Sequence, residues 1–206
     1  MLGRRKVLLI NWDVSSLVVD ALCRRAVDEN AAVACFYFDL TAQTNQSPAA
    51  ILGSVLRQIV SGLEEVPEGV FEAFRGRVKG AGGRVLVLSE IVEHIQNILT
   101  SRRTFICLDA LDQCRAGDRV NLLDLFNQIL QKSPGTRIFL TGRPHIRAEV
   151  EKHLAGRAAV RLITPTRDDI VIFLRAKLKE DTMPDVMNKT LEEEIIEVIP
   201  NAVSET

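Results

Sequence analysis

Aromatic side chains are scarce in this chain of 206 residues: Trp12 is its one tryptophan and Tyr37 its one tyrosine. Without several rings side by side there is no platform on which unpaired bases would stack. Charge of one sign is lacking too. Lys plus Arg total 26 and Asp plus Glu total 27, a formal net charge of −1, so no long-range field draws in nucleic acid or an anionic membrane. The basic groups Arg4, Arg5, Lys6 and Arg102, Arg103 are short and read as solvated patches. Long apolar runs are missing: "VLLI" at 7–10 falls far short of the roughly 20 residues that span a bilayer. The basic, then apolar, start carries no small-residue cleavage site. Neither nucleic acid nor membrane is therefore expected as a partner, and the expected location is cytoplasmic. The four cysteines, Cys23, Cys35, Cys107 and Cys114, form no CxxC pair, and read as small apolar residues of a reduced compartment. The three histidines, His94, His145 and His153, are too scattered for a zinc site.

What is present is apolar periodicity. Hydrophobic residues make up 47% of the chain, enough to bury the core of one α/β domain. Four short runs rich in Val, Ile and Phe read as buried strands: 31–40, 103–111, 135–143 and 157–165. Helical spacing lies between them. Residues 13–30 place Val14, Leu17, Val18, Ala21 and Leu22 on one face, with Ala26 as its continuation. Residues 47–63 open with Ser47 as cap and Pro48 in the first turn. Residues 88–101 carry Ile91, Ile95, Ile98 and Leu99, with Ser89 as the expected cap, and 118–135 stop at Pro134-Gly135. The glycine-rich stretch 66–85 reads as a short helix and a turn. Alternating strands and helices predict an α/β fold with a mostly parallel sheet of four or five strands, helices on both faces.

Past Pro165 the character changes. "TRDDIVIFLRAKLKED" is an amphipathic helix with a Thr cap and early acids, and "TLEEEIIEVIPNAVSET" is a second that stops after Pro200. The expected division is a core over 1–164 and the start of a helical extension over 165–206, truncated within an architecture that continued.

The stretch "FICLDALDQC" (105–114) carries the chemistry. A buried strand ends on Asp109, and Asp112 follows one turn later. In a parallel sheet, ligands sit outside the carboxyl ends of the strands, where an ionised carboxylate is costly unless it is paired or faces a cation. Mg²⁺ held by one or two carboxylates, water and phosphate oxygens meets that condition. The alternative is that Asp109 caps a turn and Asp112 is solvated. The next strand ends in Thr141-Gly142-Arg143-Pro144, which puts a cation beside the same crevice; the alternative is a surface arginine before a turn. Cys114 reads as a free thiol in a loop, since no histidine has a reason to lie beside it. His145 reads as a surface residue at a helix start.

These residues resemble a known family. "FICLDALDQC" is similar to the Walker B motif of NACHT-type signalling ATPases, within the wider STAND group, and "FLTGRP" to their sensor strand. "AAVACFYFDLTAQTNQSPAAILGSVLRQIV" resembles the nephrocystin-type N-terminal NTPase domain common in fungal proteins, often ahead of ankyrin repeats. The resemblance implies a P-loop NTPase core with helical elements after it, and ATP and Mg²⁺ as cofactors of intact relatives. It implies Asp109 as the magnesium ligand, Asp112 as the second, catalytic acid and Arg143 as the nucleotide-sensing arginine. Homo-oligomers, or pairing with full-length relatives, are the implied partners.

The phosphate-cradling string Gly-x-x-x-x-Gly-Lys-Ser/Thr occurs nowhere in the chain. By the family's spacing its lysine position falls on Asn11 and its hydroxyl position on Trp12, and Lys6 reads as a strand flank. "KVLLIN" stands where the first strand belongs. That loop supplies most of the grip on a triphosphate. The expectation is therefore an incomplete NTPase domain with weak or no nucleotide binding and negligible hydrolysis, its start a truncated or mis-spliced form. A non-catalytic oligomerisation module of the same fold, or a gene-model fragment, stands beside it.

Overall fold

The computed structural model of the chain describes residues 7–10, 15–39, 46–63, 65–72, 86–161, 166–179 and 188–204. The chain divides into two compact units, Met1–Leu162 and Ile163–Thr206.

The first unit is built on five parallel strands: β1 (Val7–Ile10), β2 (Ala32–Tyr37), β3 (Thr104–Asp109), β4 (Thr136–Thr141) and β5 (Ala158–Arg161). Their spatial order is β2-β3-β4-β1-β5. Five helices connect or follow them: α1 (Ser15–Glu29), α2 (Pro48–Ser61), α3 (Leu88–Ser101), α4 (Ala116–Lys132) and α5 (Arg147–His153). Residues 68–72 are also helical. The step from β1 to β2 runs one way along the sheet, and every later step runs back the other way, the last passing over β1. Crossovers between parallel strands are right-handed, so α1 falls on one face and α2 to α5 on the other.

The side chains obey that assignment, since alternate residues of a strand face opposite sides. Ala34, Ile106, Leu108, Ile138 and Leu140 join one large core with Leu52, Leu56, Ile95, Leu99 and Phe126. Cys107 and Phe139 meet Val18, Val19 and Leu22 of α1, and Phe105 packs with Ala26. The α1 stripe differs from the expected one: Leu17 is 68% exposed and Ala21 is exposed, while Val19 packs inward. Seating Val18, Leu22 and Ala26 on the sheet turns Leu17 to solvent; Val14 lies outside the described residues.

The helix starts are local. Ser47 Oγ accepts the Ala50 N–H at 3.3 Å, as the Ser-Pro pair predicts. At α3 the expected Ser89 cap is replaced: Val87 is the cap residue, and Glu90 reaches back to accept its N–H at 3.0 Å. β2 is an edge strand, and Gln58 of α2 closes part of that edge. Its Oε1 accepts the Cys35 N–H at 2.9 Å and its Nε2 donates to the Cys35 carbonyl at 2.8 Å, as a neighbouring strand would.

The second unit holds α6 (Arg167–Lys179) and α7 (Lys189–Ser204). α6 opens on a reciprocal cap: Thr166 Oγ1 accepts the Asp169 N–H at 3.2 Å, and Asp169 Oδ2 accepts the Thr166 N–H at 2.9 Å. α7 continues to Ser204 with Pro200 inside it, so that proline does not end the helix. Among the described residues no helix is long and apolar enough to cross a membrane.

Candidate site at the carboxyl ends of the strands

The register brings three strand ends level. Ile10 of β1 is the partner of Thr141, and Leu108 of β3 is the partner of Leu140, so Asp109 and Thr141 end neighbouring strands side by side. Residues 104–108 are buried and Asp109 is half-buried. The Thr141 hydroxyl donates to Asp109 Oδ1. Thr141 Oγ1 in turn accepts the Ala110 N–H at 2.8 Å. Thr141 is itself buried, and it ties the last residue of β3 and the first residue beyond it to the end of β4.

Beyond Asp109 the chain turns sharply. Ala110 takes a left-handed conformation with φ 57° and ψ 46°, unusual for a residue with a Cβ, and a single 3₁₀ turn, Leu111–Gln113, follows. The turn carries Asp112 across to the segment after β4. Its Oδ1 accepts the Arg143 backbone N–H at 3.2 Å, and its Oδ2 lies 3.5 Å from Arg143 Nε. The Asp112 side chain is 9% exposed against 55% for Arg143. Gly142 leaves room for Ile146: a Cβ there would stand 2.7 Å from Ile146 Cδ1, and at contact distance, 3.4 Å, from Asp112 Oδ1.

A buried arginine supports the turn from behind. Arg119 of α4 donates through Nε and Nη2 to the two carboxylate oxygens of Glu149 on α5, at 2.6 and 3.1 Å. Its Nη1 donates to the carbonyls of Cys114 at 2.8 Å and Asp112 at 3.4 Å. The bonds to Glu149 raise the guanidinium's proton affinity further, so it is charged at every working pH.

Of the residues singled out in the sequence, the structure puts Asp109, Asp112 and Arg143 on adjacent strand ends, with Arg143 paired to Asp112 and Asp109 bonded to Thr141. Thr141, Arg119 and Glu149 were not singled out as site residues. Thr141 carried a visible signal, a hydroxyl ending a buried strand next to the strand ending in Asp109. Arg119 and Glu149 stand 30 positions apart and carried none. Cys114 is a free thiol but a buried one, and burial pushes it up to about 11, which leaves it no nucleophilic thiolate. His153 Nδ1 lies 2.7 Å from Asp124 Oδ1, and His145 is exposed in the turn Pro144–Ile146. Lys6, Asn11 and Trp12 lie outside the described residues.

Among the described residues no group of three or more His, Cys, Asp or Glu side chains could hold a metal ion by itself. Asp109 Oδ1 accepts the Thr141 hydroxyl, and the two Asp112 carboxylate oxygens face the Arg143 backbone N–H and Nε.

Residues 14–143 match the sequence model of the family described as Nephrocystin 3, N-terminal. No curated protein matches the chain. Among solved structures, Cdc6p from Pyrobaculum aerophilum aligns with a TM-score of 0.54 at 15% identity, over 85% of this chain and 43% of that one. The Orc1 protein of Aeropyrum pernix, solved in complex with DNA, aligns with a TM-score of 0.51 at 18% identity, over 85% and 44%. A Walker-type ATPase of Pyrococcus abyssi aligns with a TM-score of 0.52 at 18% identity, over 98% and 61%. The fold is thus that of P-loop ATPases, and the chain spans about half the length of these structures.

Proposed function

Because the chain belongs to the nephrocystin 3 N-terminal family, we propose that it is a NACHT-like signalling NTPase domain whose crevice is shaped for a magnesium polyphosphate. The observation that carries this reading is the trio at the strand ends: Asp109 closing β3, Asp112 one turn on, and Arg143 paired to Asp112 from the end of β4. Asp109 would hold Mg²⁺, which when bound would neutralise charge between phosphate oxygens. Asp112 would orient a water, and Arg143 would read the terminal phosphate. ATP is the nucleotide of this reading, a cytoplasmic oligomer its working form.

The chain lacks the Gly-x-x-x-x-Gly-Lys-Ser/Thr string, so nucleotide binding is weak or absent in this reading and hydrolysis negligible. That favours a second reading, a non-catalytic module that keeps the fold's self-associating surface. It draws further support from Asp112 and Arg143, which already satisfy one another. Titration of Mg²⁺-ATP against the protein and against Asp109→Asn, followed by calorimetry, separates the two. Saturable binding that the variant loses supports the NTPase site. A flat titration with retained self-association by sedimentation sinks it in favour of the module.

A further inference from the structure

We infer that Arg119 is a positioning residue that sets Asp112 against Arg143 and makes the place of α5 and the state of the crevice one variable. Arg119 touches none of the groups that would meet a ligand. It holds the backbone that carries one of them: Nη1 reaches the carbonyl of Asp112 itself and that of Cys114, on either side of the turn's end. The other edge of the same guanidinium is locked to Glu149 on α5. A buried guanidinium is stable only when its donors are matched, and its planar fork allows little adjustment. If α5 moves, Arg119 must follow Glu149 or leave it unpaired, and either outcome releases the turn on which Asp112 sits.

The second pair closes the ring. Asp112 accepts from the backbone N–H of Arg143 and faces its Nε, and the chain from Arg143 passes through the turn Pro144–Ile146 directly into α5. Arg143, α5, Glu149, Arg119 and Asp112 therefore form one closed circuit joining the segments after β3 and β4. In this state Arg143 occupies the acid that would orient a water. An anion that draws the guanidinium away uncovers Asp112 Oδ2 while the backbone bond to Oδ1 loads the circuit, and the displacement reaches α5 through Arg119. That use of the circuit rests on the nucleotide reading above; the positioning role of Arg119 does not.

The test reads the Arg143 amide without nucleotide, by residue-resolved hydrogen exchange on the full chain, in wild type, Arg119→Lys, Glu149→Gln, Asp112→Asn and the Arg119→Lys/Asp112→Asn double variant. The lysine keeps the charge and loses the fork. Asp112→Asn removes the charged acceptor and should speed Arg143 exchange about tenfold, the weight of one charge-assisted bond. Arg119→Lys and Glu149→Gln should speed it comparably while amides inside β3 and β4 keep their rates. The double variant should exchange no faster than Asp112→Asn alone, because both changes break the same link. The inference is overturned if Arg119→Lys leaves the Arg143 amide at its wild-type rate, if the strand amides accelerate in step with it, or if the two changes add. A flat Mg²⁺-ATP titration would leave these rates as they are and would remove only the nucleotide reading.

Discussion

On one face of the sheet Ile106, Leu108, Ile138 and Leu140 vanish beneath α2, α3 and α4, in a core that continues through Phe126 and Ile95. On the other, Cys107 and Phe139 meet α1, whose Val18, Val19 and Leu22 are half-buried. The difference follows from chain direction. One crossover runs outward and the rest run back, and a fixed handedness then places most helices on a single side. The thick face holds the unit together, while α1, which faces the sheet alone among the first unit's described helices, is the element most easily lifted.

The largest expected contrast is chemical. Burial pushes the Cys107 thiol up to about 12 and Cys114 up to about 11, whereas Cys23 is exposed. Because a raised thiol value keeps the neutral form below it, a group near 12 is ionised about once in 10⁴ at pH 8. Timed alkylation with peptide mapping should show Cys23 labelled first, by orders of magnitude. Cys107 should come before Cys114, since lifting α1 uncovers it while Cys114 sits in the thick core. The reverse order would break the comparison.

Next in size are two truncations measured by urea denaturation. Phe126→Ala, in the thick core, should cost about 3–5 kcal/mol. Val18→Ala, on the sheet-facing side of α1, should cost about 1 kcal/mol or less, because its side chain is only half removed from water. Equal costs would mean that the faces are equally consolidated. Gln58→Ala leaves the Cys35 N–H and carbonyl at the β2 edge without their partner and should cost about 1–2 kcal/mol. Sedimentation should then show more concentration-dependent association than wild type does. The smallest effect is a gain: Ala110→Gly relieves a left-handed φ of 57° and should stabilise by up to about 1 kcal/mol, net of the added freedom of the unfolded chain.

Local features were legible because their causes are local. The apolar runs that became β2 to β5, the Ser47-Pro48 start of α2 and the Thr166 cap of α6 each depend on neighbours within a few residues. The acids and the arginine could be placed at strand ends because a buried strand must stop where polar residues begin. What could not be read was whatever depends on register and strand order. Thr141 reaches Asp109 across 32 positions and Gln58 reaches Cys35 across 23. The inward turn of Val19 in place of Leu17 likewise needs the sheet to exist first. No periodicity in the chain encodes these, since the same spacings would serve several topologies.

The position of β1 bears on how the unit is made. Among the described strands it comes first in the chain, yet Val7 pairs with Ile138 on one side and Ala158 on the other. β2, β3 and β4 pair over much shorter separations, so they and the helices between them can assemble while β1 still has nothing to dock against. Long-range pairing is slow and leaves apolar segments uncovered in the meantime. The "VLLI" segment therefore has no strand to pair with until the segments of β4 and β5 exist, which sets its docking behind theirs.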